Sequence, residues 1–217
     1  MYQYVLLDLD GTLIDSEEGI TKSVSYALKK FGITEKPENL RHFIGPPLFQ
    51  SFSLFYGFSE EDSVKAVEYY REYFGETGVY LNRVYDGIEK LLKDLYDAGK
   101  TLILATSKYE YYAKLIIKEL GFSPYFSFIA GSLKDGSRGT KAEVISYILE
   151  QKEIHDLSSA VMIGDRKHDI EGAKTVGLDS IGVLYGFGDY EELSSHGATY
   201  IAKDTIEIFK IIMEKID

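Results

Sequence analysis

The segment Tyr4–Thr12 reads YVLLDLDGT, an apolar run that ends in two aspartates and a glycine. Apolar residues without polar alternation are typical of a strand that is buried on both faces, as in a parallel sheet. Asp8 and Asp10 lie two residues apart, so both side chains should project on the same side of the strand end. Gly11 permits a sharp turn beyond them. The segment therefore predicts a buried strand that delivers two carboxylates to one edge of a sheet.

Short apolar runs of the same kind recur along the chain. The predicted strands are Tyr4–Leu9, Thr101–Ala105, Phe126–Ala130, Ala160–Ile163, Ser180–Leu184 and, more weakly, Thr199–Ala202. Between them, apolar residues recur at helical spacing, for example from Ile88 to Tyr96, where Gly99 follows as a stop signal. Strands that alternate with helices of this length predict an α/β fold. Its core should be a doubly wound, Rossmann-like parallel sheet with helices on both faces.

The alternation is interrupted once, between the first and second predicted strands. A single crossover helix cannot fill this gap, and the intervening residues carry helical patterns of their own. These predicted helices are Ile20–Phe31, Leu48–Phe55 and Glu60–Phe74. We therefore predict an all-helical domain at residues 15–79, inserted into an α/β core domain made of residues 1–14 and 80–217.

Composition excludes several classes of function. The 217 residues carry 24 Lys and Arg against 35 Asp and Glu, a net charge of -11, which argues against binding of a nucleic acid polymer. There is no cysteine, which excludes thiolate nucleophiles and thiolate metal sites. The N-terminus lacks the basic start of a signal peptide, and no apolar window reaches the about 18 residues of a membrane span. We therefore expect a cytoplasmic enzyme.

Polar residues follow other predicted strands as well as the first. Thr106 and Ser107 come directly after the second strand, and Asp165 and Asp169 follow the fourth. Lys141 opens the helix that follows the third strand. In a doubly wound sheet, ligands bind outside the carboxyl ends of the strands. We therefore expect these side chains to meet the two aspartates of the first strand at one site.

This combination of residues suits phosphoryl transfer, which needs a nucleophile, a hard cation and donors for the phosphoryl oxygens. Asp8 can attack phosphorus, and Asp10 is placed to protonate the leaving oxygen and later to activate water. The carboxylates of Asp8 and Asp165, with the backbone carbonyl of Asp10, are oxygen ligands that suit Mg²⁺. Thr106 can bond the phosphoryl oxygens, while Lys141 offsets the carboxylate charge and holds nucleophile and phosphate together.

These segments resemble the motifs of the haloacid dehalogenase-like hydrolases, in order and spacing. The family's first motif is matched by Asp8-Leu9-Asp10-Gly11-Thr12 and its second by Thr106. The third motif is matched by Lys141, and the fourth by Gly164-Asp165 with Asp169. The similarity covers nearly the whole chain, because the helical insertion resembles the cap of this family at its usual first site. A second carboxylate two residues after the nucleophile is typical of the family's phosphatases rather than its dehalogenases.

The resemblance implies a role for each residue. Asp8 would be the nucleophile that becomes an aspartyl-phosphate, and Asp10 the general acid and base. The implied Mg²⁺ ligands are Asp8, Asp165 and the Asp10 carbonyl, the implied phosphate-binding residues are Thr106, Ser107 and Lys141, and Asp169 would orient the site without binding the metal. In the cap, the turn at Gly45 and Pro46 would set substrate selectivity, since family members point it toward the active site.

Within the family, the chain resembles the branch of 5′-nucleotidase-like phosphatases. The resemblance lies in Phe43–Leu48, Gly131–Lys141, Met162–Ile170 and Gly182–Gly188. Nucleoside 5′-monophosphates are therefore the expected substrates, with phosphoglycolate phosphatase and sugar-phosphate mutase as alternatives. A receiver-like signalling domain fits less well, because receivers are about half as long and lack the helical insertion. The expected partner is a small-molecule phosphate ester, and the expected state is a monomer or weak homodimer without membrane association.

Overall fold

The chain folds into two compact units in the computed structural model, which describes residues 1–214. One unit comprises Met1–Ile14 and Val84–Asp217, and the other comprises Asp15–Arg83. The chain returns from the second unit to the first after Arg83, whereas the sequence pattern predicts that the inserted domain ends at Val79.

The first unit is built on a six-stranded sheet. The strands of the chain are β1 (Tyr4–Leu7), β2 (Ile14–Asp15), β3 (Arg83–Val84), β4 (Thr101–Tyr109), β5 (Phe126–Ser132), β6 (Ala160–Gly164), β7 (Asp179–Val183) and β8 (Tyr200–Ala202). The large sheet has the order β5-β4-β1-β6-β7-β8, and each pair of neighbours is parallel. The short strands β2 and β3 form a separate two-stranded sheet.

Helices make up most of the remaining structure. They are α1 (Glu17–Lys30), α2 (Leu48–Tyr56), α3 (Glu60–Glu76), α4 (Ile88–Asp97), α5 (Glu110–Glu119), α6 (Lys141–Gln151), α7 (Lys167–Val176), α8 (Tyr190–Ser195) and α9 (Thr205–Glu214). The first three helices belong to the unit Asp15–Arg83, together with 3-10 turns at Pro37–Phe43 and Gly78–Tyr80. The six-stranded parallel sheet with flanking helices confirms the predicted α/β, Rossmann-like core. None of the helices in the described part of the chain is long and apolar enough to cross a membrane.

The core of the sheet explains why its strands read as continuous apolar runs. Leu6, Ile103 and Met162 are fully buried in one cluster with residues of α6 and α7. Val5 and Leu7 alternate with Leu6 along β1 and are also buried, at 0% and 1% exposure. Both faces of β1 are therefore covered, and each large apolar side chain of this kind contributes about 1.5–3 kcal/mol by its burial.

The order of the strands places a topological switch point at β1. The chain continues from β1 to β4 and β5 on one side, and later fills the other side with β6, β7 and β8. In register, Leu7 lies opposite Leu104 of β4 and Ile163 of β6. The carboxyl ends of these three strands are therefore neighbours, which is where a doubly wound sheet binds its ligand.

The ends of β1 and β4, next to the predicted site residues, differ from the prediction. The strand β1 ends at Leu7 rather than Leu9, because the Leu9 carbonyl accepts N–H groups of the turn that follows, including that of Leu13 at 2.9 Å. The strand β4 continues beyond Ala105 to Tyr109, with an irregular register between Ala105 and Tyr109. Both differences lie at the edge of the sheet that carries the polar residues.

Candidate active site

The turn after β1 positions the two aspartates of the first segment. The Asp8 N–H still bonds the Ile163 carbonyl of β6 at 2.9 Å, so Asp8 stays aligned with the sheet. The chain then turns at Gly11, which has a φ of 83°, and Asp10 forms an isolated β-bridge with Ile14. The backbone beside both carboxylates is thus fixed by hydrogen bonds.

A buried lysine links two of the aspartates. Lys141 is the first residue of α6, and its Nζ lies 2.8 Å from Asp8 Oδ1 and 2.8 Å from Asp169 Oδ1. It also donates a hydrogen bond to the Ala105 carbonyl at 2.8 Å. The helix start is itself fixed, because Thr140 and Glu143 form a capping box. Lys141 therefore joins the strand ends of β1 and β4 to the start of α7.

Asp165 and Asp169 come from the segment after β6. Asp165 is fully buried, and its Oδ2 accepts the backbone N–H of Phe187 at 2.7 Å. Both carboxylate oxygens of Asp169 contact protein groups: Oδ2 accepts the Arg166 N–H at 3.1 Å, and Oδ1 meets Lys141. Asp169 thus braces the start of α7 against the lysine.

Electrostatics sets these carboxyl groups apart from ordinary surface aspartates. Burial raises the pKa of Asp8 to about 6, against the opposing effect of the Lys141 ammonium. Burial, with the nearby charges of Asp169 and Asp8, also raises the pKa of Asp165 well above its ordinary value. Burial alone would lower the pKa of Lys141, but Asp169 and Asp8 outweigh it and raise that pKa. The lysine is therefore charged, and the carboxylates around it still repel one another.

This arrangement fits a divalent cation. Asp8, Asp165 and Asp169 each offer a carboxylate oxygen, and these oxygens lie within 4.8 Å of one another. Such oxygen donors suit a hard ion such as Mg²⁺. A cation would offset the cost of burying the charges of Asp8 and Asp165, which is the main cause of their raised pKa, and would also relieve the repulsion between the carboxylates. Because Lys141 and the Arg166 N–H already contact Asp169, the freer ligands in this cluster are Asp8 and Asp165.

The end of β4 contributes three consecutive polar residues. Thr106 is buried, and its Oγ1 accepts the backbone N–H of Lys108 at 3.2 Å, while Ser107 is half-buried. The side chain of Lys108 reaches across to Asp10, with Nζ 2.8 Å from Oδ1 and 3.0 Å from Oδ2. Sequence reasoning missed this ion pair. Lys108 stood directly beside Thr106 and Ser107, but nothing in the pattern linked it to an aspartate 98 positions away.

The predicted turn at Gly45 and Pro46 belongs to the other unit. It lies between the 3-10 turn Pro37–Phe43 and α2. Gly45 is exposed and has a φ of 105°, a conformation that favours glycine. The remaining predicted site residues belong to the α/β unit.

A family model described as haloacid dehalogenase-like hydrolase matches residues 5–183. The chain belongs to this family. A 5′-nucleotidase from Pseudomonas aeruginosa is 45% identical over 212 residues, which cover 97% of this chain and 96% of the relative. The crystal structure of a predicted phosphatase from Clostridium acetobutylicum is 50% identical, covers 99% of each chain and superposes with a TM-score of 0.95.

Two further kinds of relative bear on substrate. The tyrosine-protein kinase PtkA of Mycobacterium tuberculosis is 38% identical over 202 residues, which cover 92% of this chain and 68% of the relative. A phosphoglycolate phosphatase from Vibrio parahaemolyticus is 26% identical over 217 residues and 96% of this chain, covering 95% of that relative. The predicted family and the predicted phosphatase class are confirmed by these matches.

Proposed function

We propose that this phosphatase hydrolyses small phosphate monoesters through a phosphorylated Asp8 and depends on Mg²⁺. The contact between Asp8 and Lys141, 2.8 Å in length at the switch point of the sheet, is the observation that carries the proposal. A buried carboxylate held by a fixed ammonium has one orientation, and nucleophilic attack on phosphorus requires such alignment. The ammonium would also offset the charge of an approaching phosphate.

The other residues of the site supply the remaining parts of the reaction. Asp10 would protonate the leaving oxygen as Asp8 attacks, and would then take a proton from the water that hydrolyses the aspartyl-phosphate. Thr106, Ser107 and Lys141 would bond the phosphoryl oxygens. These roles account for attack, leaving-group release and hydrolysis with groups of one unit.

Asp8, Asp165 and the backbone carbonyl of Asp10 would hold the Mg²⁺. When bound, the ion would neutralise charge on the phosphoryl group and its surroundings. Asp169 would act indirectly, because it braces Lys141 and the start of α7. We expect EDTA to abolish activity, Ca²⁺ to replace Mg²⁺ poorly, and Asp165→Ala to raise the Mg²⁺ requirement sharply. An unchanged Mg²⁺ titration in Asp165→Ala would contradict this set of ligands.

Nucleoside 5′-monophosphates are the substrates we propose. The 5′-nucleotidase of P. aeruginosa, at 45% identity over nearly the full length of both chains, supports this choice more strongly than the phosphoglycolate phosphatases at 26%. The groups assigned above address phosphate, metal and leaving oxygen, so they do not distinguish one monoester from another. We therefore assign selectivity to the unit Asp15–Arg83, and in it to Gly45 and Pro46.

A phosphate-release screen with Mg²⁺ tests the proposal. The panel contains nucleoside monophosphates, phosphoglycolate, sugar phosphates and a minimal aryl phosphate. We expect the highest kcat/KM for a nucleoside monophosphate. If kcat/KM is higher for phosphoglycolate than for every nucleotide, the substrate assignment is wrong, while the proposed chemistry still holds. Isomerisation of a sugar phosphate would instead indicate a mutase.

One arm of the screen addresses the relatives named tyrosine kinases. Transfer of the phosphoryl group from Asp8 to a tyrosine would leave phosphotyrosine on protein, whereas hydrolysis leaves free phosphate. We expect stoichiometric free phosphate and no phosphotyrosine on this chain or on an added tyrosine-containing peptide. Phosphotyrosine formation that depends on Asp8 would contradict the assignment as a hydrolase.

A further inference from the structure

The segment that follows β7 lies directly on Asp165. The backbone N–H of Phe187 donates to Asp165 Oδ2 at 2.7 Å, and the two residues are 22 positions apart in the chain. Beside it, the Tyr185 hydroxyl donates to the Thr12 carbonyl at 3.1 Å. We call residues 185–188 the β7 loop. It therefore contacts both the turn after β1 and the aspartate after β6.

The close approach depends on two glycines of this loop. A Cβ atom on Gly186 would lie 2.4 Å from Asp165 Cβ and 2.3 Å from the Gly11 carbonyl oxygen. A Cβ atom on Gly188 would lie 2.0 Å from the Asp165 carbonyl oxygen. Contacts this short with backbone atoms cannot be relieved by a side-chain rotation. Larger residues at these two positions would therefore displace either the β7 loop or Asp165.

We propose that the β7 loop is a positioning element for the metal site, and that it sets Mg²⁺ affinity by fixing the carboxylate of Asp165. The Phe187 N–H donates a hydrogen bond to Oδ2 of Asp165, and this bond fixes the plane of a carboxylate that clusters with Asp8 and Asp169. Groups that hydrogen-bond a metal ligand orient it, and their loss commonly costs about 10–100-fold in metal affinity.

The burial of Asp165 strengthens this argument. The residue is fully buried, and Thr12 Oγ1 is 3.5 Å from its Oδ1. A buried carboxylate without donors is costly, and the Phe187 N–H supplies a short hydrogen bond to it. Because the donor is a backbone group, the contact survives changes of the Phe187 side chain. The loop thus acts through its backbone and its two glycines.

Mg²⁺ binding to the full chain, measured by calorimetry after removal of metal with EDTA, tests the inference without any turnover. In Gly186→Ala, and separately in Gly188→Ala, we expect the Kd to rise by about tenfold or more. Phe187→Ala keeps the backbone N–H and should bind Mg²⁺ with a nearly normal Kd. Gly182→Ala is the matched control, because the atoms nearest to its Cβ would belong to the Leu193 side chain, at 3.0 Å and beyond, and not to Asp165.

A second measurement needs no substitution in the loop. In the wild type, the amide signal of Phe187 in a nitrogen–proton NMR spectrum should shift as Mg²⁺ saturates the site. The inference would be overturned if the chemical shift of the Phe187 amide did not change on addition of Mg²⁺. It would also be overturned if Gly186→Ala bound Mg²⁺ with the wild-type Kd. The inference rests on the proposed metal site. If the wild type itself binds no Mg²⁺ at millimolar concentrations, the metal assignment fails and this inference falls with it.

Discussion

Lys108 Nζ lies 2.8 Å and 3.0 Å from the two carboxylate oxygens of Asp10, and the side chains are only 8% and 15% exposed. An ammonium that contacts both oxygens holds the carboxylate in one rotamer. The backbone N–H of Lys108 bonds Thr106 Oγ1, so the same residue also contacts the hydroxyl assigned to phosphate binding. The proposed acid and base is thereby tied to the end of β4.

Lys108→Met should lower kcat by about 10- to 100-fold, with little change in KM, because Asp10 loses the group that orients it for proton transfer. Lys108→Arg should recover part of the loss, since a guanidinium can bond both oxygens of a carboxylate. Steady-state kinetics with a nucleoside monophosphate provides the measurement.

The control for this prediction is Lys114→Met, which breaks an exposed ion pair with Glu110 on α5. Its kinetics should match those of the wild type. Removing one partner of a largely buried pair costs about 3–5 kcal/mol, so thermal unfolding of each variant must confirm that it is folded at the assay temperature. Normal kcat in a folded Lys108→Met would show that Asp10 needs no such support.

Asp8→Asn should retain less than about a hundredth of the wild-type rate, because an amide of the same shape cannot attack phosphorus. Phosphate release and thermal unfolding are measured together, so that loss of the fold is separated from loss of the nucleophile. Asp97→Asn, which removes an exposed ion pair with Lys93, serves as a control and should be fully active. If folded Asp8→Asn retained more than about a hundredth of the wild-type rate, Asp8 would not be the nucleophile.

Mg²⁺ affinity should decrease as the pH is lowered, because protons compete with the metal for the carboxylate ligands. In the metal-free protein, burial raises the pKa of Asp8 to about 6, so this carboxyl is ionised above that pH and protonated below it. The metal binds the ionised form. Calorimetry should therefore give a Kd about tenfold higher near pH 5 than near pH 7. Equal Kd values at the two pH values would contradict a role for Asp8 as a ligand.

Pro46→Ala should change the relative rates among nucleoside monophosphates, phosphoglycolate and sugar phosphates, while the rate with a minimal aryl phosphate changes much less. Gly45→Val should act in the same direction but is a poorer probe, because valine at a φ of 105° strains the turn itself. Pro37→Ala, in the same unit, is the control. If Pro46→Ala lowers all rates equally, the turn has no part in selectivity.

The sequence was informative wherever burial and strand ends decide the structure. Continuous apolar runs such as Tyr4–Leu7 predicted the parallel sheet because both faces of β1 are covered. The same reasoning predicted that Asp8 and Asp165 would meet, since the carboxyl ends of neighbouring parallel strands lie side by side. The family resemblance then added roles for these residues that no periodicity supplies.

Two specific contacts of the site were beyond such reasoning. The pairing of Lys108 with Asp10 depends on how the chain leaves β4, where the register becomes irregular. The hydrogen bond from Phe187 to Asp165 is donated by a backbone N–H, so the identity of the side chain does not indicate it. The two glycines beside Phe187 are the signal in the sequence from which a close approach could have been predicted. The monomer or weak homodimer expected from the sequence stays a prediction.

The most direct test of the central claim is to trap the phosphoenzyme in Asp10→Asn. This variant keeps the Asp8 nucleophile but lacks the base that activates water, so the aspartyl-phosphate should form and then persist. The variant is mixed with a radiolabelled phosphate monoester that has a good leaving group, quenched in acid and digested, and the labelled peptide is identified. Our account predicts near-stoichiometric label on the peptide that contains Asp8, and none in the double variant Asp8→Asn, Asp10→Asn. Absence of protein-bound label in both Asp10→Asn and the wild type, while the wild type releases phosphate, would contradict it.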